Sequence, residues 1–184
     1  MNRRILAGLL GGLAAFVWSS VAHMVLPLGE AGVSTIPNEK AVLETLEREV
    51  PGAGLYLFPA PSNDPTQAQA DMMASYRDNP SGVLVYTPPG RTFSFPKLLG
   101  VELAGTLFAG LIAAAVMMRA PLSIGRGALI GANLGIFTWL CVSLSYWNWY
   151  DFPSAYVWAE GADQVVGWLI GGVVIAMIGG RARS

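Results

Sequence analysis

Four long apolar runs and one polar interruption set out the plan of this chain. The runs cover residues 5–28, 98–118, 125–147 and 154–180. Each is long enough, at ~1.5 Å per helical residue, to cross a hydrocarbon core of roughly 30 Å. The third run is the most informative. Gly127, Gly131 and Gly135 recur every fourth residue, which lines them up on one helix face where another helix can approach almost backbone to backbone. Its far end carries Tyr146, Trp147, Trp149 and Tyr150, amphipathic rings that favour a membrane–water boundary. Small residues recur at the same spacing in the first run (Gly8, Gly12), the second (Gly100, Ala104, Gly105, Ala109, Gly110, Ala114) and the fourth (Gly167, Gly171). The glycine pairs and the ladder are the expected helix-packing positions. Behind the basic start at Arg3 and Arg4, Ser20-Val21-Ala22 would also suit the end of a cleaved signal peptide. Apolar residues continue beyond it through Met24, Val25, Leu26 and Leu28, so an uncleaved span over 1–28 is expected.

The polar interruption, 29–97, reads as a small separate module. Val42, Leu43, Leu46 and Val50 fall at helical spacing in EKAVLETLEREV, with Glu39, Lys40, Glu44, Glu47 and Arg48 on the other side and Pro51-Gly52 as the stop. Gly54–Phe58 and Gly82–Thr87 are strand candidates. Between them, Asn63-Asp64-Pro65 marks the start of a helix to about Arg77, with Met72, Met73 and Tyr76 together. A connection of that length suffices for a parallel crossover, though the strand direction stays open. So few aliphatic residues make a marginal independent fold. This αβαβ cap is therefore expected to rest its apolar faces on the helix bundle or on a partner. The predicted fold is a mainly α membrane protein: a four-helix transmembrane bundle formed by span one (1–28) and spans two to four within 98–184, with an αβαβ cap over 29–97.

Charge then orients the layout. Arg3, Arg4, Arg119, Arg126, Arg181 and Arg183 all fall on one side of a four-span arrangement, and no acid does. All 12 acids fall on the other side or just inside it. The positive-inside rule makes the arginine side cytoplasmic, so both termini are expected inside and 29–97 outside. The chain has one cysteine, Cys141, within an apolar run. It has no partner for an internal disulfide and reads as a small hydrophobe.

Ionisable groups inside or bordering apolar spans are costly and are the first places to look for function. His23 lies near one end of span one, Glu102 about a turn into span two, and Glu160 and Asp163 where the apolar part of span four begins. All four fall at similar depth, and Met72 and Met73 of the cap are possible neighbours. These residues form a candidate polar layer. As a metal site they would offer one imidazole and carboxylates, but nothing resembles HExxH or paired cysteines. As a proton or ion path they lack charged steps deeper in the membrane, where only Asn133, Thr138 and Ser143 are polar. As a structural layer they would fix helix register. Signatures of catalysis are missing: the sequence has no GxSxG, P-loop or GxGxxG, and no second histidine to serve a nucleophile. Basic clusters suited to nucleic acid are also missing.

Several stretches carry a resemblance. Val17–Pro27 (VWSSVAHMVLP), Ile36–Leu43 (IPNEKAVL), Gly54–Pro59 (GLYLFP), Leu144–Trp147, Ala162-Asp163 and Gly167-Trp168 are similar to an uncharacterised group of bacterial four-span inner-membrane proteins with an extracytoplasmic insertion between spans one and two. The resemblance implies a bacterial inner-membrane location and the four-span layout, and it supplies no activity and no catalytic residue. The expectation is a non-enzymatic structural or accessory subunit without a cofactor. It would act through helix–helix and cap-mediated contacts, with the lipid bilayer around it and a homo-oligomer or larger membrane complex as its assembly. Glycine faces on all four spans motivate that expectation, since they exceed the evident needs of one small bundle. The alternative is a small transporter or an ion or proton pathway using the polar layer at the outer face.

Overall fold

The computed structural model describes residues 2–60, 64, 66 and 68–180; Asn63, Pro65, Arg181 and Arg183 lie outside the described residues. Helix α1 (Arg3–Met24) is followed by a 3-10 turn at Pro27–Glu30. Next come α2 (Glu39–Glu49), β1 (Gly54–Phe58), α3 (Ala68–Asp78) and β2 (Gly82–Tyr86). Helices α4 (Phe95–Met117), α5 (Ile124–Cys141), α6 (Ser143–Tyr150) and α7 (Ser154–Gly179) complete the chain. Four stretches, α1, α4, α5 with α6, and α7, are long and apolar enough to cross a membrane. The chain divides into two compact units, one of residues 1–33 with 94–184 and one of residues 34–93.

In the helical unit α1 sits between α4 and α7, and α7 in turn packs on α5. Helices α4 and α5, although consecutive in sequence, hardly touch, and neither do α4 and α7. The expected compact bundle is therefore a curled row, α4–α1–α7–α5, with three extensive interfaces and an open fourth side. Glycine makes each interface. A Cβ on Gly8 or Gly12 would lie 2.8 Å from Leu111 Cα or 2.9 Å from Leu107 Cα, and one on Gly110 would strike the backbone of Gly8 and Gly12. Between α5 and α7, a Cβ on Gly127 would meet Ala176 Cβ at 2.5 Å, one on Gly131 the carbonyl of Trp168, and one on Gly135 Val165 Cα at 2.6 Å. Between α1 and α7 the close points are Gly171 against Gly11 O and Gly167 against Trp18. Gly11 and Gly172 share this role without having stood out in the sequence. Helices in lipid gain little from the hydrophobic effect, so close packing of this kind is what holds them.

The bundle is tightest at its arginine end. Ala7, Ala113, Ala114, Met117, Leu122, Ile175 and Ala176 form the buried cluster there. Arg3 donates to Ile178 O at 2.5 Å, Arg4 to Met118 O at 3.4 Å and Arg126 to Pro121 O at 3.3 Å. The first two neutralise free carbonyls near the ends of α7 and α4. Ser123 starts α5 by accepting from Arg126 N.

Span three departs from the single helix expected over 125–147. It breaks at Val142 (φ −113°, ψ −67°), between two tryptophan ties to α7. Trp139 Nε1 donates to Val157 O at 2.8 Å, and Trp147 Nε1 to Ser154 Oγ at 3.1 Å. Asp151 (φ 53°) then closes α6 in the left-handed region, which Asp tolerates better than bulky residues do.

In the second unit the two strands pair antiparallel, Leu55 opposite Val85 and Leu57 opposite Val83. The helix-bearing connection is long enough for a parallel crossover, but α3 ends at Asp78 and the chain turns back within Asn79–Ser81. None of the described residues of this unit is buried, and Leu55, Leu57 and Val85 stand exposed on one sheet face.

Glycine contact and open glycine predict opposite outcomes. Gly135→Ala should lower unfolding stability in mild detergent by about 1–3 kcal/mol, the usual cost of overpacking. Gly105→Ala, whose new Cβ would meet nothing within 4 Å, should leave stability unchanged. Equal effects of the two would contradict this packing.

Candidate functional site

At the end opposite the arginines, the open side of the row becomes a cleft. Its walls are α4 on one side and α5 with α7 on the other, with α1 as the floor. Two adjoining cavities, of about 310 and 400 Å³, share Ser19, Glu102, Asp163 and Gln164 in their linings. The first reaches down to Ala109, Thr138 and Trp168, the second up to Met24 and Phe95. The helical lattice sets the levels. Glu102 lies seven residues into α4 and Asp163 nine into α7, about 10 and 14 Å along their axes at ~1.5 Å per residue.

The structure brings three of the four candidate polar residues together. His23 Nε2 lies 3.6 Å from Glu160 Oε1, and His23 Nδ1 lies 3.9 Å from Asp163 Oδ2. His23 Nδ1 is also 3.0 Å from Ser19 O, which is one turn earlier in α1. A carbonyl only accepts, so this contact places a proton on Nδ1. Only the doubly protonated ring then offers an N–H toward Glu160 as well. Ser19 Oγ donates to Asp163 Oδ2 at 3.0 Å, a contact that joins α1 to α7 across 144 positions of sequence. Ser19 is a member of the site that sequence reasoning passed over. Its signal was available: it precedes His23 by four and so shares its helix face.

Asp163 is the most confined of the acids. It is 4% exposed, and its Oδ1 has no hydrogen-bond partner. The indole Nε1 of Trp18, beside Gly167 one turn further along α7, is likewise buried without a partner. Glu102 is different. It is exposed and borders both cavities, and it forms no ion pair with His23. The expected layer is thus a His23–Glu160–Asp163 cluster on one wall, with Glu102 across the cleft. Met72 and Met73 belong to the other unit and are exposed. Among the described residues, no three His, Cys, Asp or Glu side chains are grouped so that they could hold a metal ion.

The Ser19 hydroxyl is directed to the Asp163 carboxylate, while His23 Nδ1 faces the Ser19 carbonyl. The arrangement offers acceptors and negative charge facing a confined, partly apolar space. No family model, curated protein or solved structure matches the chain.

The Ser19–Asp163 contact should show in a double-mutant cycle. Ser19→Ala removes the donor from a buried carboxylate and is expected to cost about 1–3 kcal/mol in detergent unfolding. Combining it with Asp163→Leu should recover most of that loss, because no unpaired acceptor remains. Additive losses would show that the two residues act independently.

Proposed function

We propose that this chain is a non-enzymatic accessory protein of a bacterial inner membrane, with both termini cytoplasmic and residues 29–97 outside. Its task is to hold another component of a membrane assembly against its open side. The observation that carries this reading is the missing fourth interface. Glycines close three helix pairs to backbone contact, while α4 stands away from α5 and α7 and leaves Glu102 facing the gap. A bundle that worked alone would leave that carboxylate toward lipid, at a cost of up to about 2.5–3.5 kcal/mol on translocon scales. A covered cleft removes the cost. The packing also revises one motive for expecting association. The glycine faces of α1, α5 and α7 are used inside the chain, whereas on α4 a Cβ at Gly100 or Gly105 would meet nothing within 4 Å.

Topology rests on the one-sided arginines and on the resemblance to bacterial inner-membrane proteins. The second reading, an ion or proton path, is favoured by the His23–Glu160–Asp163 cluster. It is opposed by the apolar cluster that is buried, among the described residues, at the arginine end.

Extraction of the protein at native abundance in mild detergent should give a particle well above the mass of a 184-residue chain, and reconstituted protein should move no ions. A lone monomer that conducts in liposomes would overturn the accessory reading. Single cysteines at Gly90 and Arg183, in a Cys141→Ser background, should label from opposite sides of the membrane, and labelling from one side would overturn the topology.

A further inference from the structure

We propose that the occupant of the cleft is a transmembrane helix of another protein, and that this helix carries a lysine or arginine which lies between Glu102 and Asp163. The inference rests on the accessory reading and names the chemistry of the partner. Shape comes first. The joined cavities run from Phe95 and Met24 to Ala109 and Trp168, about 20 Å along the helix axes at ~1.5 Å per residue. Such an elongated gap suits a rod better than a compact solute. On the α4 wall Gly105 lines the cavity and a Cβ there would meet nothing within 4 Å, so a second backbone can come close.

Charge narrows the choice. Glu102, Glu160 and Asp163 line the two cavities, and no lysine or arginine does. Among the described lining residues the other ionisable side chain is His23, which is turned toward Glu160 and Asp163. Asp163, 4% exposed, keeps one oxygen without a donor. Asp163 lines both cavities. An ammonium or guanidinium supplies both positive charge and N–H donors, and so satisfies this acceptor and offsets Glu102 together. A bare metal ion has no ligand group of three among the described residues. A second copy of this chain cannot supply the cation at that level, because the basic residues of its spanning helices lie only near the helix ends, at Arg3, Arg4, Lys97 and Arg126.

The test uses the full-length protein in liposomes, with an acceptor dye on its native exposed Cys141. The probes are donor-labelled Leu/Ala transmembrane peptides of about 23 residues. They carry a single Lys, Leu or Glu about 10–14 Å from one membrane face. The Lys peptide is expected to bind about thirtyfold or more tightly than the Leu peptide, as a desolvated charge pair requires. Glu102→Gln with Asp163→Asn should abolish that preference while circular dichroism stays unchanged. Glu102→Lys should reverse it in favour of the Glu peptide. Equal binding of Lys and Leu peptides would overturn the inference and leave the accessory reading standing. Displacement of the Lys peptide by free butylamine would assign the site to a small amine and overturn the helix as occupant. Failure of every peptide to bind would also overturn the inference, and the particle mass in mild detergent then decides separately whether the accessory reading survives.

Discussion

Backbone-to-backbone approach at glycine is the interaction on which this helical unit depends. Helices surrounded by lipid cannot be held by burying apolar side chains, since the lipid is as apolar as they are. What remains is dispersion at short range, and that falls away within an ångström of separation. Gly8 and Gly12 against Gly110, Gly11 against Gly171, and Gly127 and Gly131 against Gly172 each remove a Cβ that would hold the axes apart. The buried core consequently contains few large side chains, and Ile175 is the largest that is fully enclosed.

The same economy explains the cleft. Close contact is possible only along faces that carry small residues in register, and the glycine faces of α1, α5 and α7 are already matched within the chain. Helix α4 spends its matching face on α1 through Gly110. Its Gly100 and Gly105 have no counterpart on α5, whose ladder is committed to α7. The short connection after Met117 holds α4 and α5 together at the arginine end, where Met117 and Leu122 join the buried cluster, and among the described residues the two helices otherwise hardly touch. The result is a unit closed at one end and open at the other.

Polar groups follow this division of space. Carboxylates placed within the buried cluster of the closed end would have met apolar side chains, whereas in the open half they find Ser19, His23 and a cavity. Burial of Asp163 is tolerated because Ser19 satisfies one oxygen, and the other stays available. The polar module over 34–93 shows the opposite problem. Two short strands with Leu55, Leu57 and Val85 exposed enclose no core of their own, which agrees with the scarcity of aliphatic residues in that stretch.

What the sequence determines by itself is everything that follows from local periodicity. Helix length, the glycine faces, the amphipathic α2, the strand positions and the common depth of His23, Glu102, Glu160 and Asp163 are all written in residue spacing, because 3.6-residue and two-residue repeats fix which side chains share a face. Pairing is another matter. Spacing shows that a face can be approached closely but not by which helix, so the sequence left the glycines looking surplus until the tertiary structure matched them pairwise within the chain. The direction of the strands, the Trp139 and Trp147 ties to α7 on either side of Val142, and the separation of Glu102 from the other three ionisable residues depend on contacts far apart in sequence. Ser19 illustrates the limit well: its hydroxyl is unremarkable on α1 and acquires a role only when α7 brings Asp163 within 3.0 Å.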